Sequence, residues 1–259
     1  MEVRPMIEIK NVHKNYGRKQ VLNGVSFTIP KGEITSLIGI NGSGKTTILN
    51  HIMNLLPMTS GEILVDGEKH SPALYEKVAF IPDAAIMLPE MKIEEAMNFM
   101  ATFYDSWNQE RADEMLVFFR LNKEDKISTL SKGNVAKVNL LLGLALDVDY
   151  VLMDEPFSGI DIFTREQIAE VFTSYLVEGK GVLITTHEIK EIEFIVDRVV
   201  LLDDGIVLRE FNVEDVRASE GKSIIDIMRD VYQPYSDDLI ERQPSRLKKS
   251  GGLNDEEIY

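Results

Sequence analysis

Glu33-Ile34-Thr35-Ser36-Leu37-Ile38-Gly39-Ile40-Asn41-Gly42-Ser43-Gly44-Lys45-Thr46-Thr47 is the stretch that decides how the rest of the chain is read. Glu33 to Ile38 is a largely apolar run of strand length, and helical spacing begins at about Lys45 and runs to Leu55. Between them, Gly39 to Thr46 fits the pattern G-x-x-x-x-G-K-[ST]. The glycines let backbone N–H groups wrap phosphate oxygens without Cβ clashes, and the following helix N-terminus adds positive potential. Lys45 would reach the β- and γ-phosphates of a nucleoside triphosphate, and the Thr46 hydroxyl would ligate Mg2+. Asn41, Gly42, Ser43, Gly44 and Thr47 complete the expected phosphate cradle.

Upstream, Ile7 to Val12 and Val21 to Ile29 alternate apolar and polar residues, and Pro30-Lys31-Gly32 turns the chain. They predict a small N-terminal antiparallel sheet. Gly61 to Gly67 and Lys77 to Ile81 are further short strands. Apolar residues then fall at helical spacing over Ile93–Tyr104, Gln109–Phe119 and Lys132–Leu146, which predicts a mainly helical subdomain over about 84–146. Strand and helix alternate after that: Tyr150–Met153, a helix over Ile162–Val177, Val182–Thr186, a helix over Glu188–Val196, and a hairpin of Arg198–Leu202 with Gly205–Arg209. Such alternation predicts an α/β fold with a mainly parallel sheet covered by helices on both faces. One domain is expected over 6–232. From 233 to 259 the chain is rich in Pro, Ser, Gly and charge, as a poorly ordered tail is.

Two further motifs lie at strand ends. Val151-Leu152-Met153-Asp154-Glu155 places an acidic pair after a buried strand, where it would stand beside the phosphate loop. Asp154 would hold Mg2+ through water, and Glu155 would act as general base on the attacking water. Thr185-Thr186-His187 ends another apolar strand, and His187 would either hydrogen-bond the γ-phosphate or serve as a satisfied structural histidine.

Composition sets limits. The chain has 259 residues, a formal net charge of -15 and no cysteine. The acidity disfavours non-specific nucleic-acid binding, which needs Lys and Arg against phosphates. The lack of cysteine excludes a disulfide framework and a Cys-based zinc site, and fits a cytosolic location. No apolar run approaches the roughly 18 residues of a membrane span. Met1-Glu2-Val3-Arg4-Pro5 does not begin a secretory signal. If the protein works at a membrane, another chain must supply the membrane part.

With these pieces the chain resembles the ABC ATPases. Leu130-Ser131-Lys132-Gly133-Asn134 is similar to the family's signature loop, usually Leu-Ser-Gly-Gly-Gln. Ser158-Gly159-Ile160-Asp161 is similar to its D-loop, and Tyr16 sits where the family stacks an aromatic on adenine. The resemblance covers about Ile7 to Arg229 and implies a P-loop, RecA-like core. It implies that two such domains, identical or related, meet head to tail and sandwich ATP with Mg2+. Ser131 and Gly133 of one would bind the γ-phosphate held by the other, and Asp161 would communicate across the interface. A separate transmembrane permease would complete the transporter, with this chain peripheral on the cytoplasmic face of the membrane. Leu88-Pro89-Glu90-Met91-Lys92 is the candidate contact with that permease.

The chain departs from the family pattern at two places. Asp83 follows Ile81-Pro82 where the family usually has glutamine. It serves either as the metal-coupling residue or as a turn aspartate. Lys132 and Asn134 replace glycine and glutamine, and Lys132 points either toward the nucleotide or to solvent. A Leu-Ser-Lys-Gly signature resembles exporter ATPases of the drug and peptide type, so export is expected. A soluble ABC-type ATPase with a non-transport role is the rival. No Asn-Lys-x-Asp guanine motif is present, which disfavours a GTPase.

Overall fold

A computed structural model of the chain describes residues 5–175, 179–187, 189 and 192–241. Two sheets organise it. The first contains β1 (Met6–Tyr16), β2 (Lys19–Pro30), β4 (Ser60–Val65) and β5 (Glu68–Lys69), all antiparallel, in the order β2-β1-β4-β5. The expected N-terminal hairpin is thus half of a larger sheet, because β4 pairs back onto β1 through Ile7 opposite Val65.

The second sheet contains β3 (Ile34–Ile38), β6 (Val78–Ile81), β7 (Tyr150–Asp154), β8 (Gly181–Thr186), β9 (Arg198–Asp203) and β10 (Ile206–Asn212), in the order β10-β9-β3-β8-β7-β6. Five of these strands run parallel, and β10 returns antiparallel to β9. Side chains on its strands alternate between two separate cores. Ile34 and Ile38, Val151 and Met153, and Val182 and Ile184 enter one core; Leu37, Leu152 and Leu183 enter the other. This is why the strands read as apolar runs rather than alternations: both faces are covered.

One face is covered by α1 (Lys45–Ile52) and the first sheet. In α1, Ile48, Leu49 and Ile52 are buried, one stripe of a helix. The other face carries α2 (Ile93–Phe103), α3 (Gln109–Phe118), α4 (Lys132–Leu144) and α5 (Ile162–Tyr175). From Lys137 to Leu144 every residue of α4 is buried, so this helix runs through the interior between sheet and helices. It comes close to β6 at Gly143, where a Cβ would stand 2.4 Å from Ile81 Cγ1.

Beyond β10, α6 (Val213–Glu220) and α7 (Ile224–Glu241) were not expected. α7 continues past the boundary drawn at 232, and the remainder of the expected tail lies outside the described residues. Part of the helix expected over Glu188–Val196 also lies outside them. The described part of that stretch carries turn bonds, such as Ile192 N–H to Ile189 O.

Candidate functional site

The site forms at the C-terminal ends of β3, β7 and β8, where the parallel sheet presents its loops. The Gly39–Gly44 turn joins β3 to α1. Gly39 has no room for a side chain: a Cβ would lie 2.5 Å from the Leu202 carbonyl oxygen and 2.5 Å from Ser43 Oγ. Gly44 caps α1 with φ 110°, a backbone that L side chains rarely adopt. No side chain caps this helix, so its first amides are not claimed by a side-chain acceptor. That leaves them for an anion.

Lys45 is 6% exposed, and its Nζ donates to Gly39 O at 2.7 Å. The same ammonium lies 3.1 Å from Glu155 Oε1. Thr46 Oγ1 donates to Asp154 Oδ2 at 2.8 Å, and Asp154 Oδ1 accepts from Thr185 Oγ1 at 2.5 Å. Thr185 thus orients Asp154 from the neighbouring strand. Its hydroxyl oxygen also accepts from the Glu155 amide at 3.1 Å.

Glu155 has φ 48°. A left-handed, non-glycine residue at the end of a strand costs on the order of 1 kcal/mol, a strain often found at active sites. Here the turn aims its carboxylate back over the phosphate loop. Glu155 Oε2 accepts from His187 Nδ1 at 2.8 Å, so one carboxylate joins the ends of β7 and β8 to Lys45.

These groups border a cleft of about 550 Å3. Tyr16, Asn41, Gly42, Gly44, Lys45, Thr46, Thr47, Asp83, Asp154 and Glu155 all line it. Tyr16 is 50% exposed, with Lys14 Nζ over its ring, 4.8 Å from the centre. Asp83 is exposed at the rim. The donor set near Thr46 and Asp154 is hard oxygen, which suits Mg2+. No group of three or more His, Asp or Glu among the described residues could hold a metal unaided.

Ser131, Gly133 and Asp161 are not part of this cleft. Ser131 is exposed and caps α4, its Oγ accepting from Asn134 N–H at 3.3 Å. A Cβ on Gly133 would lie 3.2 Å from Thr164 Oγ1 and 3.6 Å from Asp161 Oδ2. Asp161 accepts from the Thr164 amide at 3.0 Å and its hydroxyl at 2.8 Å, which hold its carboxyl below the usual range. Lys132 turns toward the loop after β7: its Nζ would lie 2.6 Å from a Cβ on Gly159.

Two side chains at the site escaped sequence reasoning. Thr185 was quoted within a motif but given no role. Asn139 is, in the sequence, only a lone amide in an apolar run.

Residues 22–158 match the sequence profile of the ABC transporter family. The chain is 33% identical over 208 residues to the linearmycin resistance ATP-binding protein LnrL of Bacillus subtilis strain 168, covering 77% of this chain and 67% of that protein. It is 34% identical over 220 residues to the aliphatic sulfonates import ATP-binding protein SsuB of Corynebacterium glutamicum, covering 83% and 87%. A solved structure described as the ATP binding subunit of an ABC transporter superposes with a TM-score of 0.78 at 27% identity, covering 87% of this chain and 99% of that one. The α/β architecture agrees with these matches, and the chain belongs to the ABC transporter family as an ATP-binding, ATP-hydrolysing subunit.

Proposed function

We propose that the chain hydrolyses Mg-ATP to drive an exporter, paired with a second such domain and docked on a separate permease at the cytoplasmic face of the membrane. The observation that carries the hydrolytic part is the Glu155 carboxylate, held between Lys45 and His187 over the phosphate loop. Glu155 takes a proton from water as its oxygen attacks the γ-phosphorus, and ADP leaves with the β–γ bridging oxygen. Lys45 and the uncapped amides of α1 bind phosphate oxygens. His187 orients Glu155 and reaches the γ-phosphate. Tyr16 supports the adenine, and Thr47, Asn41, Gly42 and Ser43 shape the cradle.

Thr46, Asp154 and Asp83 would hold Mg2+, which when bound would supply charge neutralisation at the phosphates. Ser131 and Gly133 of the second domain close the site from outside, and Asp161 reports across the interface. The exposure of Ser131 and Asp161, away from their own cleft, supports this reading.

A docking place for the permease is supported by an apolar groove of about 710 Å3 beside α2, bordered by Leu55, Ile86, Met87, Leu88, Met91 and Phe99. Leu88 is 69% exposed there. No helix among the described residues is long and apolar enough to cross a membrane. Export rests on the Leu-Ser-Lys-Gly signature and on the resistance relative; the import relative points the other way.

Glu155→Gln tests the core of this reading. Its turnover should fall by about a thousandfold, the scale of losing a general base. Its mass in solution should double on adding ATP. Wild-type turnover in this variant would remove Glu155 from the mechanism.

A further inference from the structure

Asn139 is a buried amide, 3% exposed, flanked by Val138 and by the apolar run Leu140 to Ala145. Leaving such donors unsatisfied is costly. Both are used, and on one target: Nδ2 donates to Pro82 O at 3.2 Å and to Ala84 O at 2.8 Å. These carbonyls stand on either side of Asp83.

The fold brings them together. Gly143 seats α4 against Ile81, the last residue of β6. Asn139 lies four residues earlier on the same helix face, beside the loop that leaves β6. One to two turns further toward its N-terminus, Ala136, Val135 and Lys132 line a cavity of about 30 Å3 together with Asp83, Glu155 and Pro156. One face of α4 therefore runs from the β6 strand end, past the Asp83 loop, to the turn that carries Ser131 and Gly133.

We infer that Asn139 is a positioning residue for hydrolysis. Its amide ties residues 82–84 to α4, so that the Asp83 carboxylate is held at the cleft and moves as one piece with the signature turn. The inference rests on the proposed role of Asp83 beside the metal. It also explains how an aspartate can stand where the family usually has glutamine. The shorter side chain gives up one methylene of reach, so the placement of its backbone matters more, and catalytic geometry is sensitive to displacements on the order of 1 Å.

The test uses the full chain with Asn139→Ala and Asn139→Asp, the second being close to isosteric but without N–H donors. Three quantities are measured: ATP affinity in EDTA, turnover against Mg2+ concentration, and hydrogen exchange of segment 82–91. Turnover should fall about tenfold, the scale of losing a buried hydrogen-bonding amide, and more Mg2+ should be needed for half-maximal rate. Metal-free ATP affinity should stay within about twofold, and exchange in the loop should accelerate. In an Asp83→Ala background, Asn139→Ala should cost less than about twofold, because residues acting through one another are non-additive. Equal losses in both backgrounds, or unchanged loop exchange in both variants, would overturn the inference. If Asn139→Ala melts early, Asn139→Asp and the loop exchange decide. Failure of the wider proposal looks different: wild-type chain would not hydrolyse ATP, or Glu155→Gln would hydrolyse it normally, whatever Asn139 does.

Discussion

The cleft at the strand ends and the turn at the start of α4 both carry motif residues, but they are built in opposite ways. In the cleft, Lys45 and Asp154 are each 6% exposed and Thr185 is fully buried. Their polar atoms are locked to one another across two strand ends and a helix, through Thr46 to Asp154 to Thr185 and through Lys45 to Glu155 to His187. At the α4 turn, Ser131 and Lys132 are exposed, and the polar groups serve only local structure: a helix cap and a contact with the next loop. A group that must develop a strong field at a reacting atom is preorganised by its neighbours. A group that must meet another molecule is left outward. The contrast fits a site whose chemistry lies within one chain and whose closure comes from elsewhere.

Mutations should divide along the same line. Lys45→Ala removes the cleft's buried cation and should weaken ATP binding by about a hundredfold, as loss of a charged hydrogen bond does; titration with a fluorescent ATP analogue measures it. Gly39→Ala forces a Cβ against the Leu202 carbonyl and should cost about 2 kcal/mol of stability, typical of overpacking. It would appear as an earlier denaturant midpoint. Thr185→Val keeps shape but removes the hydroxyl that orients Asp154, and should lower turnover about tenfold, the scale seen when a supporting partner of a metal ligand is lost. Ser131→Ala should change ATP affinity of the isolated chain by less than about twofold, since distant sites act independently, while still lowering hydrolysis. A large affinity loss in Ser131→Ala would erase the distinction between the two regions.

The cleft was partly legible in the sequence because its core is local. Gly39 to Thr46 is contiguous, and its glycine and lysine pattern encodes both the turn and the charge. Asp154 and Glu155 acquire meaning only beside that loop. Thr185 and Asn139 were opaque for a different reason: their partners lie about 30 and more than 50 positions away, and only the folded sheet brings them together. The same non-locality hid the return of β4 onto β1. Lys132 is exposed with its ammonium beside Gly159 of the loop after β7, a neighbour that only the folded chain reveals. The C-terminal helices were missed because Val213 to Glu241 is charged and bears only a sparse apolar stripe, of which Val213, Val216, Ile224 and Ile227 are buried.

The most direct test of the central claim mixes two inactive proteins. Lys45→Ala has a damaged cleft and an intact α4 turn; Gly133→Asp has the reverse. If each site takes its phosphate loop from one chain and its α4 turn from the other, mixed pairs contain one wholly intact site. ATP hydrolysis should then reappear on mixing, to a level well above the sum of the two proteins measured apart. If mixing restores nothing although mixed pairs form, each site is complete within its own chain and the proposed division of labour between the two regions is wrong.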